Sequence, residues 1–422
     1  MIRRSKGRTV LTLLLALLLA LAAAGCGGGD DDEGGGEQAA ADEELSGTVD
    51  VWAMGAEGEK LDVLAKDFMA QNPGVTVKVT PIAWEIAHDK LLTSVAGGQT
   101  PDVSQMGTTW MGEFAATGAL EEVPDSIDME SFFEGARNTA IIDDTPMGVP
   151  WYVETRLLYY RKDIAEKAGI TEPPANWDEL KAMAKAMKEQ GGARYGIALA
   201  PDNWQEFLPF VWQTGGEVTE GENWNFDSPE VVEALEYYKS FFDEGLTAES
   251  VPEGFDVTQG FVAGTHPMFF SGPWHMSLIE EQGGPEFEGK WAIAPMPEKD
   301  SRTSFVGGSD LVVFKDSDNK DAAWKFVEYL SEATTQQKWY TTVSALPSVQ
   351  TAWDEGELST DEQLALFGEQ LKDAKSPPPV PKWEQVAAEA VNTELEKAAI
   401  GDSSPEQAAK AMQQKAESIG TG

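Results

Sequence analysis

Cysteine is all but missing: Cys26 is the single one in 422 residues, and histidine is limited to His88, His266 and His275. One thiol cannot close an intramolecular disulfide, and three scattered imidazoles without thiolate partners cannot assemble the usual zinc clusters, so no metal site is expected. Positive charge is scarce as well, with 31 Lys and Arg against 72 Asp and Glu, a formal net charge of −41. A surface that negative repels nucleic acid and anionic headgroups, and it disfavours phosphorylated substrates unless a local basic pocket overrides the field. The same acidity fits a saline habitat, an alternative that composition leaves open. The GxxxxGK, HExxH, GxSxG and CxxC patterns are all absent, so no enzyme class announces itself and no cofactor is expected. Asp316-Ser-Asp318-Asn-Lys-Asp321 has the acids of a calcium loop without its glycine or distal glutamate, and reads as a solvated turn capping the next helix.

A hydrophobic run long enough to span a membrane is lacking too. Val10 to Ala24 is 15 residues, apolar except Thr12, and falls short of the ~20 that a spanning helix needs. It follows Arg3, Arg4, Lys6 and Arg8 and ends in small residues, which is the order of a secretory signal. Ala23-Ala24-Gly25-Cys26 resembles a bacterial lipobox, departing from it at Ala23, where that motif usually has Leu. The resemblance implies cleavage before Cys26 and a diacylglyceryl group on its thiol, and two acyl chains anchor stably where one does not. An ordinary signal-peptidase site with an incidental cysteine is the alternative. Gly27 to Glu44 holds glycine, alanine and acids with no aromatic residue, too little to bury a core, and reads as a tether.

What is present begins with α/β periodicity. "TVDVWAM" and "VTVKVTPI" alternate like strands, and between them Leu61, Leu64, Ala65, Phe68 and Met69 recur at helical spacing until Asn72-Pro73-Gly74 stops them. Strand, helix, strand starts an α/β sheet with crossover connections. A second helix is predicted from about Trp84 to Val95. "PPANWDELKAMAKAMKEQGG" has Asn176 at an N-cap, Glu179 three residues on and glycines past the end. "DSPEVVEALEYYKSFFDEG" places Pro229 in a first turn, and "NKDAAWKFVEYLSE" puts Ala323, Phe326, Val327 and Leu330 on one stripe. "RLLYYR", "WAIAPM" and "DLVVF" suit buried strands, and "SPPPVP" is a stiff connector before a last helical stretch from about Trp383 to Ala399.

Tryptophan is in excess, at 14 residues. Trp110, Trp204, Trp274 and Trp383 stand out because glycine, proline or polar residues surround them, where a core residue is not expected. An indole is a rigid apolar plate that stacks on the C–H faces of a pyranose, while the sugar's rim of hydroxyls needs carboxylates and amides. Each tryptophan alone reads as core more readily than as platform; four in polar settings shift the balance.

"GVPWYVETRLLYYRKDIAEKAGI", "PANWDEL", "SGPWHM" and "FVGGSDLVVFKDSDNKDAAWKFVEYLSE" resemble the family 1 extracellular solute-binding proteins, the carbohydrate receptors of ABC importers, from about Thr48 to the final helix. That resemblance implies a two-lobe periplasmic-binding-protein-like fold of type II, with ligand in a hinged interlobe cleft and a permease that recognises the closed form. The implied limits are a signal at 1–25, a lipidated tether at 26–45, one lobe from 46–153 plus 303–331, and the other from 154–302 plus 332–422. Glu57 matches an acidic position that bonds sugar hydroxyls, with Glu59 a weaker neighbour. Thr108, Thr109 and Trp110 fall in a ligand-contacting stretch, and the absence of an acid at Thr109 puts maltose itself in doubt. Asp102 reads as structural. Glu154 matches a ligand carboxylate supported by Arg156; Trp274 and Trp383 match aromatic platforms, and Trp204 with Gln205 lies where another contact is expected. Ser309 and Asp310 are added from their polarity beside the Gly307-Gly308 turn, and His275 beside Trp274 is as readily a packed residue as a contact. The expectation is a lipid-anchored, monomeric, non-enzymatic receptor for a neutral sugar or oligosaccharide, on the outer face of the cell membrane or in the periplasm. The competing readings are an extracellular glycoside hydrolase using Glu57 and Glu154, and the same fold holding a non-sugar solute such as a polyol phosphate.

Overall fold

Alternating apolar residues in β1 (Gly47–Met54) and β2 (Val75–Ile82) drive them into parallel register, from Gly47 opposite Val75 to Met54 opposite Ile82. The computed structural model describes residues 45–221, 223–250 and 255–422; the signal, Cys26 and all but the last residue of the tether lie outside them. Two short helices, α1 (Gly55–Lys60) and α2 (Asp62–Gln71), cross over between these strands, and Leu64, Ala65 and Phe68 of α2 are buried as their spacing predicts. α3 (Trp84–Gly97), two residues longer than the periodicity predicts, leads to β3 (Val103–Gly107), which lies parallel to β1 on its other side.

β4 (Val149–Thr155) belongs to the same sheet, but after Arg156 the chain enters β5 (Leu157–Arg161) in a second sheet. There β5 is flanked by antiparallel β6 (Met268–Ser271) and β7 (Trp291–Ala294). Between them run α4 (Trp177–Glu189), α5 (Trp204–Gln213) and α6 (Pro229–Asp243). The α4 cap is the expected one: Asn176 Oδ1 accepts from Glu179 N at 3.0 Å, and Glu179 Oε2 reaches back to Ala175 N at 2.8 Å. The chain returns through β8 (Ser304–Val313), which inserts antiparallel between β3 and β4. The result is two α/β lobes: one core is built on Val49, Phe68, Trp151 and Phe326, another on Phe207, Phe210, Tyr238 and Trp383, and a third cluster joins Val153 and Val306 of the large sheet to Tyr159, Phe269 and Trp291 of the second.

Where the chain passes between lobes, two strands run side by side and bond. Thr155 Oγ1 donates to Phe305 O at 2.8 Å, and Ser304 Oγ donates to Arg156 O at 2.9 Å while accepting from Arg156 N at 3.3 Å. The stretch after 332 departs from its expected place in the second lobe. Trp339 of the helix Ala333–Val343 stacks on Trp151 at 5.3 Å, and β9 (Leu346–Pro347) pairs with β4, so this segment stays with the large sheet. The indole in the second turn of that helix is buried against Trp151 of β4, which holds the helix to this sheet. Trp383 to Ala399 is helical as expected, with a π-helical turn at Ala387–Asn392, and a further helix that the sequence reading left out, Pro405–Ile419, follows a Ser404–Gln407 capping box.

Candidate functional site

Three strands of the large sheet, β1, β2 and β3, run in one direction, and each is followed at its carboxyl end by a polar or aromatic side chain: Glu57, Trp84 and Trp110. Carboxyl ends of parallel strands are where α/β sheets open a crevice. Gly55, at φ +55°, makes the turn out of β1, and a Cβ there would stand 2.8 Å from Trp84 Nε1, so only glycine lets that indole lie beside the Glu57 turn. Trp84 meets Trp110 edge-on at 5.6 Å, and His88 packs against Trp110 at 5.2 Å. Burial holds the Glu57 carboxyl above its usual range, its own backbone N–H partly offsets this, and the Glu154 charge adds to the rise.

Tyr152 lies between these acids. Burial pushes its phenol far up, the charges of Glu57 and Glu154 act in the same direction, and its hydroxyl accepts from Ser309 Oγ at 3.2 Å. Arg156 follows two residues after Glu154 on the same side of the strand; its Nη2 donates to Glu154 Oε1 at 3.2 Å. The guanidinium carbon stands 4.8 Å from the Trp274 ring and 5.2 Å from Phe305. Trp274 opens α7 (Trp274–Gly283) and is 36% exposed, the one tryptophan of the described residues presented to solvent on that scale. It curls back over Gly272, where a Cβ would meet the indole at 2.0 Å.

Glu57, Trp110, Glu154, Arg156 and Trp274 are thus drawn into one neighbourhood. Thr108 is buried and Thr109 half-buried at the start of the turn that carries Trp110. Other residues named from the sequence are placed differently. Trp383 is 0% exposed, edge-on to Trp204 at 5.2 Å inside the second lobe's core, so it is a packing residue and offers no open face to a ligand. Trp204 is itself 9% exposed, wedged between Trp383 and Phe305, with its backbone N–H given to Asn392 Oδ1 at 2.9 Å; Gln205 beside it is half-buried. Ser309 is buried one layer below the surface, where Gln105 Nε2 donates to it at 3.0 Å. Asp310 is likewise buried, its carboxyl oxygens 3.0 and 3.2 Å from Thr139 Oγ1. These two support the strand, because the register shift in β8 between them turns Asp310 into the core. Glu59 is exposed, and Asp102 ties Asp50 N to Ser317 Oγ, the structural role expected of it. His275 Nδ1 bonds Ser271 Oγ at 2.6 Å, and burial lowers its pKa to about 4.

Sequence reasoning missed Trp84, Tyr152 and Phe305. The signal that finds Trp84 is positional: it follows β2 as Glu57 follows β1. Carboxylates that accept from hydroxyls, a guanidinium that donates, and an exposed indole together suit a flat, hydroxyl-bearing solute.

The chain's relatives carry the same architecture. The profile of the bacterial extracellular solute-binding protein family matches residues 53–337. The maltotriose-binding protein of Pyrococcus abyssi is 27% identical over 80% of this chain and 74% of its own length. The diacetylchitobiose binding protein DasA of Streptomyces coelicolor is 30% identical over 67% of this chain and 68% of its own. Among solved structures, the sugar-binding protein MalE of Xanthomonas citri superimposes with a TM-score of 0.84 at 34% identity, covering 88% of this chain and 97% of that one. With two lobes, crossing strands and a polar, indole-lined set of residues at the carboxyl ends of its parallel strands, this chain belongs to the bacterial extracellular solute-binding proteins.

Proposed function

We propose that this protein captures an uncharged sugar or oligosaccharide between its lobes and hands it, without chemical change, to the membrane subunits of an ABC importer. The observation that carries the reading is Trp274: an exposed indole with one side against Arg156, whose Nη2 is in turn bonded to Glu154. A pyranose ring stacks on the indole while its hydroxyls donate to Glu154 and Glu57 and accept from Arg156. Ligand that bridges both lobes favours the closed state by its extra contacts there. Support also comes from relatives whose names specify maltotriose and diacetylchitobiose. The carboxylates of Glu57 and Glu154 argue against an anionic solute.

A thermal-shift screen of the mature protein against mono-, di- and trisaccharides tests this, because a ligand that binds only the native state raises the melting temperature. At least one sugar should do so, and incubation with it should generate no new reducing ends. A flat response to every sugar beside a shift with polyol phosphates overturns the reading, and released reducing ends turn it into a hydrolase. We assign the anchor to lipidated Cys26, with 1–25 as signal and the rest of the stretch to residue 45 as tether, and the folded body as a monomer on the outer side of the membrane. Cys26→Ser should move the protein from the membrane fraction into the soluble fraction.

A further inference from the structure

Arg156 also lines a cavity of about 330 Å³ whose other lining residues come from the second lobe. Arg156 is the only residue of the Glu57–Trp274 neighbourhood that lines it. Its volume lies at the lower end of ligand sites, which run from about 300 to 1,000 Å³, and suits one sugar unit better than a chain.

Two kinds of side chain line the cavity. Leu199, Phe255, Phe269 and Phe270 are apolar. Arg156, Asp202, Glu206, Ser271 and His275 are polar. Arg156 Nη2 is spent on Glu154, and its Nη1 is buried with no partner, a state costly enough that an acceptor is wanted there. The His275 ring uses Nδ1 on Ser271 and stays neutral at pH 7. Glu206 accepts from Ala200 N at 2.9 Å, the Tyr238 hydroxyl beside it at 3.4 Å giving its hydrogen chiefly to Ala200 O at 2.6 Å, and burial raises the Glu206 pKa to about 7. An anionic group entering here would meet the Glu206 carboxyl and the nearby Asp202, so the occupant is uncharged.

A bare hexose finds partners among the polar groups but sets hydroxyls against the phenylalanines without partners, which costs binding. An acetamido substituent has a chemistry for each kind of side chain: a methyl for the phenylalanines, a carbonyl oxygen for the unpartnered Arg156 Nη1 and an N–H for the Glu206 carboxyl. We propose that this cavity is a side subsite for a sugar unit carrying an acetamido group, so that the receptor selects N-acetylated amino sugars over their unsubstituted counterparts. The inference rests on the sugar-receptor reading and narrows its substrate class.

The test is isothermal titration of the mature protein with matched pairs: N-acetylglucosamine against glucose, and diacetylchitobiose against cellobiose. Wild type should favour the acetamido member of at least one pair by about tenfold or more. Ala248→Phe adds a ring at the cavity wall, away from Glu57, Glu154 and Trp274; it should erase that preference while its melting temperature stays near wild type. Should Ala248→Phe fail to fold, Glu206→Gln at pH 8, which removes the charged acceptor, should reduce the preference instead. Equal affinity within both pairs, or a preference that survives these substitutions, overturns the subsite and leaves the receptor reading intact. If no sugar of any kind binds, the receptor reading falls and the subsite with it.

Discussion

Trp274 and Trp383 are the same plate used for opposite ends. Trp274 starts a helix whose preceding Gly272 leaves room for the indole to fold back beside Arg156, and 36% of it stays in water. Trp383 has no exposed surface and packs edge-on to Trp204. Trp274→Ala should therefore weaken sugar binding about thirtyfold or more, with the melting temperature little changed. Trp383→Ala should cost about 3–5 kcal/mol of stability in a denaturant melt, while the molecules still folded bind sugar as before. Swapped outcomes would exchange the two assignments. Asp310 makes a different prediction. Burial lifts its carboxyl to about 8, so it is protonated in the fold where the unfolded chain is ionised above about pH 4. Thr139 has one hydroxyl hydrogen and a closer acceptor in Ala136 O at 2.7 Å, which leaves the protonated acid as the donor between Asp310 and Thr139. The stability gained from a raised acid pKa is complete below the unfolded value and lost as pH rises through the folded one. Melting temperature should fall from about pH 4 to about pH 8, and Asp310→Asn should flatten much of that slope, with Glu206 accounting for part of the remainder.

Among the elements, the two crossing strands join the lobes and also carry Glu154, Arg156 and Phe305 of the candidate site. Thr155, Arg156, Ser304 and Phe305 are bonded across the crossing, and Arg156 is the residue that touches Trp274, Glu154 and the side cavity. Ser304→Ala removes both ties to the half-buried Arg156 backbone and takes the partner from its carbonyl and N–H. A loss of about 1–3 kcal/mol in urea is expected together with weaker sugar binding, since Arg156 loses its backing. Unchanged affinity would show that the crossing only connects. Elements such as α2, α4 and α6 were legible because a local rule sets each one: a stripe, an Asn or Ser cap, a proline in the first turn. What escaped depends on partners distant in sequence. Nothing local tells that β8 inserts between β3 and β4, that Trp339 returns to Trp151, or that Trp383 meets Trp204. Motif resemblance places Glu57, Glu154 and Trp274 in one neighbourhood but carries no burial, so it also offers Trp383 as a platform; polarity beside a glycine turn is equally blind to burial, and offers Asp310.

For the whole molecule, the governing quantity is charge. The whole chain has 72 acids against 31 bases, and most of that excess lies in the folded body, which carries like charges at close quarters; surface pairs such as Lys239–Asp243 and Lys372–Glu369 offset little of that repulsion. Salt shortens the reach of a charge from about 30 Å at 0.01 M to about 10 Å at 0.1 M. Self-repulsion is stronger in the compact state than in the extended one, so screening favours the fold. The melting temperature should rise as salt is added over that range. Affinity for the ligand separates solute classes in the same titration. An uncharged sugar neither gains nor loses long-range attraction to this field, so its dissociation constant should hold nearly constant across the salt range. An anionic solute is repelled at low salt and should bind more tightly as salt rises. A dissociation constant that tracks the melting temperature would thus replace the neutral sugar with an anion, however well Trp274 and Glu154 suit a pyranose.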